Sequence, residues 1–99
     1  MDDQRTEYFR SLDESERPRL YLRAPDPEDE GTQWLFEVIE DGGQRIAVKQ
    51  IEVESSGQIH RYWWQHLEDE HGFLTDQPLD DAEGLSEASR EDFQRFWDS

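Results

Sequence analysis

Residues 33–66 read QWLFEVIEDGGQRIAVKQIEVESSGQIHRYWWQH, and this stretch decides the fold. Its apolar residues recur with a period of two, which is typical of β-strands. Two turn sequences divide it, Asp41-Gly42-Gly43 and Ser55-Ser56-Gly57. Because glycine adopts the positive φ angles that tight hairpins require, the stretch predicts a three-stranded antiparallel meander.

The first strand of the meander is apolar on one face and mixed on the other. Trp34, Phe36 and Val38 share the apolar face, which is typical of a central strand in a covered sheet. In the second strand Ile46 has the opposite parity to Ile51, so a regular strand would expose one of them. A β-bulge near Lys49 or Gln50 would resolve this conflict. The third strand is expected over residues 58–66.

The flanking segments add a strand and a helix. Residues 19–24 alternate and predict an N-terminal strand. Ser89 can cap a short C-terminal helix, in which Phe93, Phe96 and Trp97 form one apolar stripe that should pack across the sheet. Residues 1–17 are expected to be an N-terminal extension containing a short helix or turn. Residues 18–99 then form a single α+β domain, a small antiparallel sheet packed by the C-terminal helix.

The charge of the chain limits its partners. Its 99 residues include 26 acidic and 10 basic side chains, for a net charge of −16, and residues 67–99 hold eleven of the acidic ones. Such a field repels nucleic acid and anionic membranes and attracts basic proteins. No cysteine and no N-terminal apolar run is present, so we expect a cytoplasmic protein without disulfides. A salt-adapted proteome would also produce an acidic chain, and that alternative stays open.

Three segments together resemble a family of small bacterial domains of unknown function. They are VKQIEV at residues 48–53 followed by Gly57, a proline-containing segment at residues 74–79, and ASREDF at residues 88–93 closing on Trp97. The resemblance covers roughly residues 19–97 and implies a fold more than an activity, because its motifs are caps, turns and core aromatics. Residues 1–17 depart from it, as does the bulk of Trp63-Trp64. Small acidic domains of this kind look like immunity proteins of bacterial toxin systems.

The polar residues do not indicate catalysis or a cofactor. His66, Glu68, Glu70 and His71 are potential metal ligands, but their spacing matches no known motif, so we expect a solvated acidic loop and no metal site. His60 is interpreted as a cross-strand partner. The serines lie at turns, caps or the terminus, where hydroxyls satisfy backbone groups, and none has a visible base. We therefore predict that the chain is not an enzyme.

The adjacent tryptophans suggest a binding surface. Trp63 and Trp64 must point to opposite faces of one strand, so one of them is partly exposed unless a helix or the first segment covers it. An exposed tryptophan beside acidic residues would suit a basic partner. The predicted partner-binding residues are Trp63, Trp64, Glu68, Asp69, Glu70, Asp80, Asp81 and Glu83. The predicted function is that of an immunity protein neutralising a basic bacterial toxin. The alternative is a nucleic-acid mimic or an inhibitor of a DNA-binding or defence protein.

Overall fold

The fold is a five-stranded antiparallel sheet with two helices. The computed structural model describes residues 3–75, 77–79 and 84–99. The strands lie in the order β4-β3-β2-β1-β5. In chain order the elements are α1 (Asp3–Asp13), β1 (Arg19–Pro25), β2 (Gln33–Asp41), β3 (Gln44–Val53), β4 (Ile59–Tyr62), β5 (Ser86–Glu87) and α2 (Arg90–Trp97). The predicted α+β class is confirmed. Neither described helix has the length and apolar character needed to cross a membrane.

The β2–β3 hairpin turns at two glycines. Gly42 has φ 60° and Gly43 has φ 82°, and Asp41 pairs with Gln44 on either side of them. Positive φ at both central residues is the mark of a type I′ turn, whose twist matches that of the flanking strands. The predicted hairpin is therefore confirmed at the predicted residues.

Replacing Gly43 by alanine should lower the free energy of unfolding by about 1–2 kcal/mol, because an L side chain at this φ meets its own backbone. An ideal Cβ at Gly43 has no other atom within 4 Å, so the loss would be local to the turn. Chemical denaturation would measure it. Gly42→Asn is the control and should change stability by no more than about 0.5 kcal/mol, because asparagine tolerates the left-handed region. Equal stability of Gly43→Ala and the unchanged chain would contradict the type I′ assignment.

A β-bulge interrupts the alternation of β3. Glu37 pairs with Lys49 while Val38 pairs with Ala47, which leaves Val48 as the extra residue. The bulge thus lies one residue from Lys49, where the parity change predicts it. The bulge places Ile46 and Ile51 on the same face of the sheet, since they pair with Ile39 and Leu35, and both are buried.

Two apolar clusters hold the layers together. The smaller one lies between the sheet and α2 and consists of Leu35, Ile51 and Phe93, with Phe96 and Trp97 packed against it. The predicted docking of α2 on the sheet is therefore confirmed. The larger cluster includes two residues of α1, which ties this helix into the core. Its buried members are Phe9, Leu12, Leu22, Phe36, Val38, Ile39, Ile46, Ala47, Val48, Tyr62, Leu74 and Leu79.

Both ends of α2 are fixed by polar contacts. The Ser89 side chain accepts a hydrogen bond of 3.0 Å from the Asp92 N–H, as the sequence predicts for the helix cap. At the other end Arg61 of β4 donates to the carbonyl oxygens of Phe96 and Trp97, at 3.0 and 2.9 Å. A guanidinium suits this position because the last carbonyls of a helix lack backbone donors and carry partial negative charge.

The third strand of the meander is shorter than predicted. Trp63 and His66 exchange two backbone hydrogen bonds of 3.2 and 2.9 Å, so the chain reverses there and β4 ends at Tyr62. The prediction of a strand over residues 58–66 is wrong in its second half. The sequence analysis did not predict β5, whose two residues pair with β1 at the opposite edge of the sheet.

Candidate functional site

Trp63 and Trp64 are both half-buried and each meets a different helix. The Trp63 ring packs edge-on against Trp97 of α2, with centroids 5.2 Å apart. Trp64 packs against the larger cluster, and the Arg10 guanidinium of α1 lies 5.3 Å from its ring centre. The helices thus cover much of both rings, which limits what either tryptophan can offer to a partner.

The chain forms a second hairpin over residues 67–74, called here the 67–74 hairpin. The Leu74 N–H donates to Leu67 O at 2.7 Å, and the Asp69 N–H donates to Gly72 O at 2.9 Å. Between these bonds Glu68 and Phe73 form an antiparallel bridge. Of the acidic residues predicted to bind a partner, Glu68, Asp69 and Glu70 therefore lie around a defined turn.

Asp69 is occupied by contacts within the chain. One of its carboxylate oxygens lies 3.1 Å from His66 Nε2, and the other accepts hydrogen bonds from the Tyr62 hydroxyl and from the N–H groups of His71 and Gly72. The His66 contact is the main cause that lowers the pKa of Asp69, and the backbone donors add to it. Asp69 is thus the residue that holds the turn together.

The exposed aromatic residue of this region is Phe73 and not a tryptophan. Its side chain is 57% exposed, more than that of any other large apolar residue in the described ranges. Buried Gln50 fixes the backbone around it, since the Gln50 amide donates to Phe73 O at 2.8 Å and accepts from the Thr75 N–H at 2.9 Å. Neighbouring Leu74 is fully buried. The alternation of side chains along a strand is the signal that could have identified Phe73 as exposed.

Glu68 pairs with Phe73 across the 67–74 hairpin and Glu70 lies in its turn, and both carboxylates are exposed. The structure therefore brings together Phe73, Glu68 and Glu70, with the Asp69 carboxylate bound inside the turn. The remaining predicted partner-binding residues, Asp80, Asp81 and Glu83, lie outside the described residues.

A second group of polar side chains gathers where the 67–74 hairpin meets the sheet. Glu52 of β3 and His60 of β4 are cross-strand neighbours, and Glu54 and His71 complete the group. His60 Nε2 lies 2.7 Å from Glu54 Oε2, and His71 Nε2 lies 2.6 Å from Glu52 Oε2. The two imidazole rings stack with centroids 3.8 Å apart and an angle of 9° between their planes.

This His60–His71 cluster differs from the grouping considered in the sequence. Of His66, Glu68, Glu70 and His71, only His71 takes part in it. Glu52 is buried and its hydrogen bond is the main cause that raises the pKa of His71. His60 has Glu52 as its cross-strand neighbour and contacts Glu54. Two imidazole nitrogens and two carboxylates in reach of one another can bind a divalent cation.

A third polar group centres on buried Glu37. Its carboxylate lies 2.7 Å from Arg19 Nη1 and 3.3 Å from Lys49 Nζ, and it accepts a hydrogen bond of 3.0 Å from the Tyr21 hydroxyl. Asp13 of α1 contacts the same two cations. Since opposite charges are matched within this group, we interpret it as a structural network that joins α1 to the sheet.

The comparisons with known proteins do not add to this geometry. A scan against protein-family models gave no match, and searches of curated proteins and of solved structures also found none.

Proposed function

We propose that this chain is a non-enzymatic binding domain that neutralises a basic protein in the cytoplasm. The partner is most simply a bacterial toxin, with this chain as its immunity protein. The observation that carries the proposal is the exposed ring of Phe73 on a hairpin that also displays Glu68 and Glu70.

Phe73 has the features of an interface anchor. Aromatic side chains that fill a partner's pocket dominate many interfaces, provided that their position is already fixed before binding. The backbone of Phe73 is held by Gln50 and by the bridge to Glu68. Little conformational entropy would therefore be lost when the ring enters a pocket.

The surrounding acid supports a basic partner. Glu68 and Glu70 would meet cationic side chains at the rim of the interface, while the net charge of −16 acts over a longer range. Complementary charge mainly raises the association rate and the selectivity of a complex. Because salt screens such fields within roughly 8–10 Å, binding should weaken as the salt concentration rises.

Mimicry of nucleic acid is the less favoured alternative. It requires carboxylates that repeat regularly along one surface, as phosphates do along a strand. The exposed carboxylates come instead from separate elements, including Glu7 on α1, Glu28 and Glu30 between β1 and β2, Glu70 on the hairpin and Glu91 on α2. This distribution favours a general attraction to basic surfaces with one aromatic anchor.

Capture from lysate of the source cell tests the proposal. The unchanged chain should retain a basic protein at low salt and release it at high salt. Two variants should each reduce the recovery of this basic protein by about tenfold or more. One is Phe73→Ser, and the other combines Glu68→Lys with Glu70→Lys. Leu20→Ser and the pair Glu28→Lys with Glu30→Lys are matched controls, since Leu20 is also exposed and the other two carboxylates lie on a different loop.

The identity of the captured protein separates the two functions. A toxin partner should arrest growth when expressed alone, and co-expression of this chain, but not of its Phe73→Ser variant, should restore growth. If the captured protein binds duplex DNA, and this chain displaces the DNA from it, the result would favour mimicry. Loss of binding in the control variants to the same degree would overturn the assignment of the interface to the hairpin.

A further inference from the structure

Four metal-binding side chains converge from three separate stretches of the chain at the junction of β3, β4 and the 67–74 hairpin. The nitrogen and oxygen atoms that Glu52, Glu54, His60 and His71 offer lie within 4.8 Å of one another. We propose that these four residues form a binding site for a divalent transition-metal ion, with zinc as the best fit. This inference does not depend on the function proposed above.

The distances between the ligand atoms suit a tetrahedral ion once the side chains reorient around it. Zinc bound at about 2.0–2.2 Å to nitrogen and oxygen places its four ligand atoms about 3.3 Å from each other. Two of the pairs in the cluster, at 2.6 and 2.7 Å, lie just inside that spacing, and the others lie within 4.8 Å. The two stacked rings would also have to tilt out of their parallel arrangement, because an imidazole nitrogen binds an ion that lies in the plane of its own ring.

The charges of the group also favour a cation. Two carboxylates with two neutral imidazoles carry two negative charges, which one divalent ion balances. A bound ion would also compensate the charge of buried Glu52.

The ligands are held in place by structure outside the site. Glu52 and His60 lie on paired strands, so the distance between their backbones is fixed. His71 follows the turn that Asp69 holds through the Tyr62 hydroxyl and two backbone N–H groups. Gly72 packs closely on Tyr62, whose hydroxyl lies 3.2 Å from the position that a Cβ would take. Ligands positioned in this way bind an ion with little loss of conformational freedom.

The donor set selects the class of metal. Imidazole nitrogens suit zinc, cobalt, nickel and copper, whereas magnesium and calcium prefer ligands that are all oxygen. Four protein ligands would complete a tetrahedral shell, as in structural zinc sites, and leave no position for a catalytic water. A bound ion would therefore link the 67–74 hairpin to β3 and β4.

Zinc titration in millimolar magnesium tests the proposal, because magnesium occupies the many exposed carboxylates without competing for the histidines. The unchanged chain should bind one zinc ion, and its melting temperature should rise on binding. With cobalt in place of zinc, it should show the visible absorption of a tetrahedral complex. His71→Gln and His60→Gln should each weaken zinc binding by about 100-fold. His66→Gln is the matched control and should bind zinc as the unchanged chain does.

Circular dichroism would show whether each variant is folded, and the half-exposed position of His71 makes its variant the safer one. Zinc affinity that is the same in the folded His71→Gln variant as in the unchanged chain would overturn the proposal. Displacement of zinc by magnesium would also overturn it. A loss of zinc affinity in His66→Gln as large as that in His71→Gln would do the same.

Discussion

Phe93→Ala should lower the free energy of unfolding by about 3–5 kcal/mol. The ring is 0% exposed, packs with Leu35 and Ile51, stacks on Trp97 and meets Tyr21 with centroids 5.4 Å apart. Truncation would remove these contacts and leave a cavity beneath α2. Because a helix of this length is marginal by itself, we expect α2 to lose its docking on the sheet. Urea denaturation followed by tryptophan fluorescence would measure the loss.

Phe73→Ala is the matched control for this measurement. The substitution is chemically identical, but the Phe73 ring is mainly exposed and its backbone is held by bonds that alanine retains. Its free energy of unfolding should change by no more than about 0.5 kcal/mol. A similar loss in the two variants would mean that Phe73 is part of the core, which would remove the anchor from the proposed interface.

Glu37→Gln should have the second largest effect, a loss of about 3 kcal/mol in the free energy of unfolding. The Glu37 side chain is 5% exposed and lies between Arg19 and Lys49. Glutamine has nearly the same shape but no charge, and would leave Asp13 as the one carboxylate among the described residues that contacts these two partly buried cations. The cost arises from cations that have lost their partner more than from any change in packing.

A double-mutant cycle with Arg19→Gln would isolate the charge pair. Once Glu37 is neutral, removing the charge of Arg19 costs less stability. The free energy of unfolding of the double variant should therefore be about 1–3 kcal/mol higher than the sum of the two single losses predicts. Strict additivity would show that Glu37 and Arg19 do not interact. Glu28→Gln, at an exposed position, should change stability little.

The elements that the sequence predicts well have local causes. The glycine pair that sets the φ angles of the β2–β3 turn, the serine that caps α2 and the aromatic spacing within α2 all act within a few residues of each other. The bulge at Val48 also leaves a local trace, because the parity of the large apolar residues changes across it.

The features that were missed depend on distant contacts. β5 consists of two residues whose strand bonds come entirely from β1, so no pattern of its own could reveal it. The His60–His71 cluster requires the 67–74 hairpin to pack on the sheet through Asp69 and Tyr62, and its ligand spacing matches no motif. The partner-binding prediction named Trp63 and Trp64 as the aromatic residues, whereas in the structure Phe73 is the more exposed ring and α1 and α2 cover much of both tryptophans.

The order of the strands has a consequence for how the chain folds. β1, β2, β3 and β4 are neighbours in the sheet in the same order as in the sequence, so each pairing closes only a short loop and loses little chain entropy. The helices depend on contacts between residues far apart, such as the hydrogen bond from Arg5 to Leu74 O across 69 positions. Low contact order favours rapid formation of the meander before the helices dock. A variant that weakens α1 or α2 should therefore populate a formed sheet with uncovered apolar clusters, and aggregation would begin from that state.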